Sequence, residues 1–329
     1  MGTRHTPGLF AGADSERVER AGIVKIKECR FCGAQSLQPI ELDTSSRVHG
    51  QAQRVGLIRC AGCGLVQLAG PASHLIPRRS SRPAPIGSAQ LHRARDTALE
   101  VIERLGLGRD SHVVAIGPGD LCLAEALGAQ GIPLLVVDPS AARRGSANGC
   151  RAIGAFFGAE VARVLARQYG SADLLIVADI AVHSDMADLV AGLAALLKPE
   201  GIIVAELDSV LDVVESGAVD RISADRVFYP SLTALERVFG TCGLHLNDGR
   251  RLAHREAAVR VEASTSTRRS ASLERLLGEE QEQGVVAPAF YRGLARLAAV
   301  FEGEGTGRSG SLRVPRAPPR PPRIRLAAL

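Results

Sequence analysis

The 329-residue sequence predicts an α/β protein, a small N-terminal tetracysteine module followed by a doubly wound, Rossmann-like domain. Two observations carry this. Short, continuous apolar runs at 113–116, 134–137, 174–177 and 202–205 alternate with helical stretches, the pattern of a parallel sheet covered on both faces. Ahead of them stand four cysteines in two Cys-x-x-Cys pairs, Cys29/Cys32 and Cys60/Cys63, within a segment too short for a large core of its own.

Taken in order, residues 1–24 are polar and mixed and are expected to be a disordered lead-in. Residues 25–72 hold the cysteine pairs and short strand-like pieces, Val55 to Ile58 and Leu65 to Leu68. The Pro, Ser and Arg of 73–90 indicate a linker. From about Leu91, the spacing of Leu91, Ala98, Val101, Ile102 and Leu105 predicts a helix ending near Gly106 and Gly108. Strand Val113 to Ile116, helix Leu121 to Leu127 and strand Leu134 to Val137 follow. Strand Leu174 to Val177, helix Met186 to Leu197 and strand Ile202 to Ala205 complete a domain over 91–263.

A Ser/Thr/Arg run to Ser270 breaks the pattern. Two helices are expected beyond it, Leu273 to Gln283 and Pro288 to Phe301, within 264–303. The Pro/Arg tail 304–329 has too little apolar surface to offset its ordering entropy and is expected to be disordered.

Composition narrows the function. Hydrophobic residues make up 46%, and no apolar run reaches the roughly 18 residues of a bilayer span. The N-terminus mixes Arg with Asp14, Glu16 and Glu19 where a signal peptide would be apolar, so a cytoplasmic location is expected. Met1-Gly2 with Thr6 meets the myristoylation pattern only in form. The net charge of +5 is almost all arginine, since Lys25, Lys27 and Lys198 are the lysines. With 3% aromatic residues and no Trp there is no stacking platform, so neither nucleic acid nor membrane is expected as a partner. Seven cysteines, an odd number, fit a reducing compartment better than a disulfide framework. Cys122, Cys150 and Cys242 lie singly and suit small core positions.

Zn²⁺ favours a tetrahedron of thiolates, and two Cys-x-x-Cys turns supply two sulfurs from each side. Cys29, Cys32, Cys60 and Cys63 are therefore the metal ligands, with Gly33 and Gly64 permitting tight turns. Four ligands with no spare position make a closed, structural site. A redox pair would sit at the head of a helix in its own α/β domain.

Strand Val113 to Ile116 runs into Gly117-Pro118-Gly119-Asp120 and a helix, and the next strand ends at Asp138-Pro139-Ser140. Glycines there let the backbone approach a ligand, and Asp138 can accept from two ribose hydroxyls. A dinucleotide fingerprint needs a third glycine where Cys122 stands. Gly117, Gly119, Asp120, Asp138 and Pro139 better suit the nucleoside half of S-adenosylmethionine, the other reading being a sheet whose crevice goes unused.

These pieces together resemble the zinc-containing deoxysugar C-methyltransferases of antibiotic biosynthesis. Cys60-Ala61-Gly62-Cys63-Gly64-Leu65-Val66-Gln67-Leu68 is similar to the family's C-x-x-C-G-L-V-Q-L. Ile116-Gly117-Pro118-Gly119-Asp120 is similar to I-G-S-N-D-G, and Val136-Val137-Asp138-Pro139-Ser140 to G-V-D-P-S. Phe156-Phe157 matches a double Phe, and Ala178-Asp179-Ile180-Ala181-Val182-His183 echoes A-N-V-L-A-H. The resemblance runs from the first Cys pair to about Val261. It implies a zinc module on a class I methyltransferase domain that uses S-adenosylmethionine to methylate a carbon beside the ketone of a nucleotide-linked keto-deoxysugar. That reaction needs a base for the α-proton, donors for the enolate and a methyl sulfonium held in line.

The chain departs from the family where the base should lie. The family's Y-H-E-H-L-S-Y falls on Ser223-Ala224-Asp225-Arg226-Val227-Phe228-Tyr229, which puts an arginine, permanently protonated, at the base position. Residues 71–100 lack the family's tyrosine, Ala115 replaces a Glu, and 264–303 is expected to be a helical remnant of the family's C-terminal α/β domain. His183 is then expected as the base, against a solvated or capping role, and Asp225 as the carboxylate that orients or protonates substrate. Asp179 lines the adenosine pocket or caps a helix, and Arg226 pairs with a substrate phosphate or stays solvated. The expected activity is a methyltransferase with a degraded catalytic motif acting on a small molecule. The alternative is a non-catalytic or truncated relative that binds zinc, and S-adenosylmethionine, without turnover.

Overall fold

The computed structural model describes residues 26–48, 51–70, 88–117, 122–139, 151–177, 179–183, 185–216, 222, 226–252 and 258–291. The expected lead-in 1–24, almost all of the linker and the Pro/Arg tail lie outside them.

Two sheets form the frame. The first is antiparallel, in the order β1-β2-β3-β9, with β1 Leu37–Val48, β2 Gln51–Cys60, β3 Val66–Leu68 and β9 Phe228–Tyr229. The second has seven strands in the order β10-β11-β8-β7-β4-β5-β6. Here β4 is Val113–Ile116, β5 Leu134–Val137, β6 Arg151–Ile153, β7 Ala172–Val177, β8 Leu197–Asp208, β10 His245–Arg251 and β11 Ala258–Ser264. Strands β6, β5, β4, β7 and β8 run parallel to one another. Strand β11 runs antiparallel to β8 and to β10. The four expected apolar runs all lie in central parallel strands, buried on both faces as their lack of alternation requires.

Helices α1 Ser88–Leu105 and α2 Cys122–Ala129 cover one face through Ala94, Ala98, Val101, Leu123 and Leu127. Helices α3 Ala159–Tyr169 and α4 Met186–Leu196 cover the other, with Leu165, Met186, Leu189 and Leu193 against Val114, Leu175 and Ile203. Each such aliphatic side chain contributes about 1.5–3 kcal/mol on full burial. Fitting helices to both faces makes the sheet doubly wound and Rossmann-like, as expected of a class I methyltransferase domain. Helix α3 enters so close to α4 that a Cβ on Gly192 would stand 2.7 Å from the Gly158 carbonyl carbon.

Beyond β8, α5 Val210–Ser216, α6 Leu232–Gly240 and α7 Ala271–Gln283 complete the described helices. Ser231 caps α6 by accepting from Ala234 N–H at 3.0 Å. Buried Glu280 of α7 adds a second cap, accepting from Leu232 N–H at 2.6 Å and Thr233 N–H at 2.7 Å. These donors are orphans of the first helical turn. The second C-terminal helix does not begin where expected: 288–291 form a turn, with Tyr291 N–H bonded to Pro288 O. Among the described residues no helix is long and apolar enough to cross a membrane.

A short segment ties the two sheets together. Strand β9 pairs with β3, Val66 opposite Tyr229 and Gln67 opposite Phe228. Just before it, Val227 O accepts from Leu68 N–H at 2.8 Å, while Val227 N–H donates to Ala181 O at 2.8 Å, beyond the end of β7.

Candidate active site and metal centre

The cysteine turns are built alike. Gly33 N–H bonds to Cys29 O and Gly64 N–H to Cys60 O, each at 3.0 Å, which closes both Cys-x-x-Cys loops. The four sulfurs all lie within 4.8 Å of one another. Cys29 and Cys63 stand 3.7 Å apart and Cys32 and Cys60 3.5 Å. Tetrahedral thiolates 2.3 Å from a zinc ion would be about 3.8 Å apart, so the donor set fits a soft, four-coordinate ion. Cys29, Cys60 and Cys63 are buried.

Gln67 supplies an outer contact that the sequence did not single out as functional. Its amide donates to Cys29 Sγ at 3.2 Å and its oxygen accepts from Arg30 N–H at 3.0 Å. Hydrogen bonds from Cys63, from the backbone N–H groups of Cys32 and Phe31, and least from Gln67 outweigh burial and hold the Cys29 thiol far below its ordinary range, at about 4, while Cys63 is pushed up, chiefly by its bond to Cys29. Such donors orient a thiolate and stabilise its charge. Arg30 in turn donates to Leu68 O at 2.5 Å and to Gly70 O, which pins the first turn to β3.

In the large sheet the chain goes to opposite sides from β4, so the crevice outside the carboxyl ends of β4 and β7 is the topological switch point. Gly117 follows β4 with φ of +96°, a backbone state that disfavours any side chain. A Cβ there would lie 3.3 Å from His183 Nε2. His183 ends the single-turn 3-10 helix Ile180–Val182 beyond β7, and its Nε2 is buried with no hydrogen-bond partner among the described residues. Desolvation lowers the His183 pKa to about 4, so the ring is neutral at physiological pH. One strand over, Asp138 follows β5, buried, with its N–H bonded to Ile153 O at 3.1 Å, and half-buried Pro139 comes next.

Asp179, at the end of β7, has two tasks. Its Oδ1 accepts from Ala181 N–H at 3.0 Å and caps the 3-10 turn. Its Oδ2 accepts from Arg226 at 2.8 Å. Arg226 also reaches Asp208 at the end of β8, so one guanidinium joins the ends of two adjacent strands. This arginine is not solvated: its side chain is 14% exposed, and that of Asp208 is 1% exposed. The structure thus brings Gly117, Asp138, Pro139, Asp179 and His183 to one edge of the sheet. Gly119, Asp120 and Asp225 lie outside the described residues. Asp208 was missed, although a signal existed, since Asp138, Asp179 and Asp208 each follow or end an apolar run.

With that geometry in view, comparison with known proteins gives one informative match. No family model matches the chain. C-methyltransferase NovU of Streptomyces niveus is 29% identical over 201 residues, 59% of this chain and 48% of that protein. The chain resembles a C-methyltransferase. It spans about half the length of that curated relative. Among solved structures, mitomycin 7-O-methyltransferase MmcR aligns at 16% identity and a TM-score of 0.40 over 55% of each chain. An S-adenosylmethionine-dependent methyltransferase from Clostridium acetobutylicum aligns at 11% identity and a TM-score of 0.40, over 53% of this chain and 91% of that one. Likenesses this loose add nothing to the strand order described above.

Proposed function

We propose that this chain is an S-adenosylmethionine-dependent methyltransferase, acting on a carbon beside the ketone of a nucleotide-linked keto-deoxysugar or a related precursor. The observation that carries the proposal is the approach of His183 Nε2 to Gly117 at the switch point. A glycine at positive φ and a buried imidazole nitrogen with no hydrogen-bond partner among the described residues meet where open α/β sheets bind their ligands. The resemblance to a C-methyltransferase supports the choice of group transferred.

In this reading Gly117, Gly119 and Asp120 form the turn under the cofactor, Asp138 accepts from its ribose hydroxyls with Pro139 beside it, and Asp179 bounds the adenosine pocket. His183, neutral at pH 7, removes the α-proton of the substrate, and Asp225 orients or protonates it. The cofactor supplies an electrophilic methyl group. The clamped Arg226 stands next to Asp225 in the chain and presents positive charge near the forming enolate. Cys29, Cys32, Cys60 and Cys63 hold a structural zinc ion, which supplies folding free energy to the antiparallel sheet around it.

Calorimetry with S-adenosylmethionine and transfer of labelled methyl to nucleotide-linked 4-keto sugars test the reading. Saturable binding that Asp138→Ala abolishes, and turnover that His183→Ala abolishes, are expected. Turnover unchanged in His183→Ala would remove the base assignment, and absence of cofactor binding would remove the activity.

A further inference from the structure

The site above does not use Arg59. It lies on β2, opposite Gln38 on β1 and Val66 on β3, and Val66 opposes Tyr229 on β9. Paired residues share a face, so Arg59, Val66 and Tyr229 form one row. That face carries Leu57 and Leu68 and packs on Val210, Leu211 and Val213 of α5 and on Val285 and Tyr291.

Arg59 is 7% exposed, yet no carboxylate pairs with it among the described residues. Its Nη1 donates to Gln38 Oε1 at 2.8 Å, and its Nε is buried without an acceptor among the described residues. The molecule supplies its own contrast. Buried Arg226 holds two aspartates, and Arg260, 8% exposed, holds Glu206 at 2.7 Å and Thr97 at 3.0 Å. Burial pushes the Tyr291 phenol above its usual range, and the neighbouring Arg59 charge opposes that shift. A guanidinium has five N–H donors in a planar fork, and one neutral amide oxygen leaves most of its charge uncompensated. An oxyanion with two oxygens in the plane of the fork is the complementary chemistry.

We propose that Arg59, held by Gln38, anchors a phosphate-binding site on this face of the tetracysteine sheet, beside Tyr291. Helix α5, packed on the same face, begins two residues after Asp208 at the end of β8. The ligand is free phosphate or the diphosphate of a nucleotide. Only the second source rests on the nucleotide-linked substrate proposed above.

The test is calorimetry and thermal melting of the full chain with phosphate, pyrophosphate or a nucleoside diphosphate, without S-adenosylmethionine. Saturable binding and a melting point that rises with ligand are expected. Arg59→Met is expected to melt above the wild type without ligand, having lost an uncompensated charge, and to show no response to pyrophosphate. Should that variant not fold, Arg59→Lys keeps the charge without the fork and is expected to bind about tenfold more weakly. A nucleoside diphosphate bound at least about tenfold more tightly than pyrophosphate supports the substrate as source, and equal affinities support free phosphate. No saturable response to any of the three ligands, or an unchanged response in Arg59→Met, would overturn the site. Cofactor binding and methyl transfer are read separately, so either proposal can fail alone.

Discussion

A Cβ on Gly117 would stand 3.3 Å from Nε2 of His183. The positive φ of Gly117 adds a backbone cost to that crowding. Gly117→Ala is therefore expected to destabilise the fold by about 1–2 kcal/mol from the backbone alone. Calorimetry is expected to show a larger loss in S-adenosylmethionine affinity than urea unfolding shows in stability. Equal affinity in the variant would mean that no ligand approaches this turn.

The neutral His183 makes acid stability informative. Its folded pKa of about 4 lies below the ordinary 6.5, so the unfolded chain binds the extra proton first as pH falls. Stability from this group is full above about pH 6.5 and declines toward pH 4, by up to about 3 kcal/mol. Denaturant titrations of the wild type and His183→Asn at pH 7 and pH 4.5 should show the wild type losing more.

Arg226 neutralises Asp179 and Asp208 together. Arg226→Met leaves two largely buried carboxylates without it and is expected to cost about 3–5 kcal/mol. Arg226→Lys reaches both with difficulty and should fall between. Urea midpoints at pH 7 check the order, and a fully stable Arg226→Met would mean that the clamp contributes nothing.

Metal content tests the cysteine cluster directly. Purified protein should carry about one zinc per chain, and Cys60→Ser less than about half of that, with a lower melting temperature. Chelation should lower the melting temperature of the wild type and leave that of the variant nearly unchanged.

Gly192 sets two effects against each other. Alanine gains roughly 1 kcal/mol in helix propensity. Its Cβ would, however, stand 2.7 Å from the Gly158 carbonyl carbon, a backbone atom that cannot turn aside. Overpacking of this kind costs about 1–3 kcal/mol, so Gly192→Ala should lower the melting temperature.

What was legible in the sequence were features whose signal is local. The apolar runs from Val113 and Leu174 announce buried parallel strands, and the spacing of Cys29, Cys32, Cys60 and Cys63 announces a metal cluster. Strand β10, His245–Arg251, was not legible, because at the sheet edge its polar residues have the composition of a loop. Two-residue β9 was not legible either, since nothing in Phe228–Tyr229 shows that the partner is Val66 and Gln67. Charges behave similarly: Arg226 is one basic residue among 40 until the fold puts Asp179 and Asp208 against it.

The pairing of β3 with β9 also orders events during synthesis. The outer edge of the tetracysteine sheet is completed by residues made about 160 positions after its last strand. Until Phe228 and Tyr229 arrive, Val66 to Leu68 present unpaired backbone groups, an invitation to strands of other chains. A fragment that stops short of Tyr229 should therefore aggregate even when loaded with metal. Whoever needs the cysteine module in isolation must bring the strand that closes it.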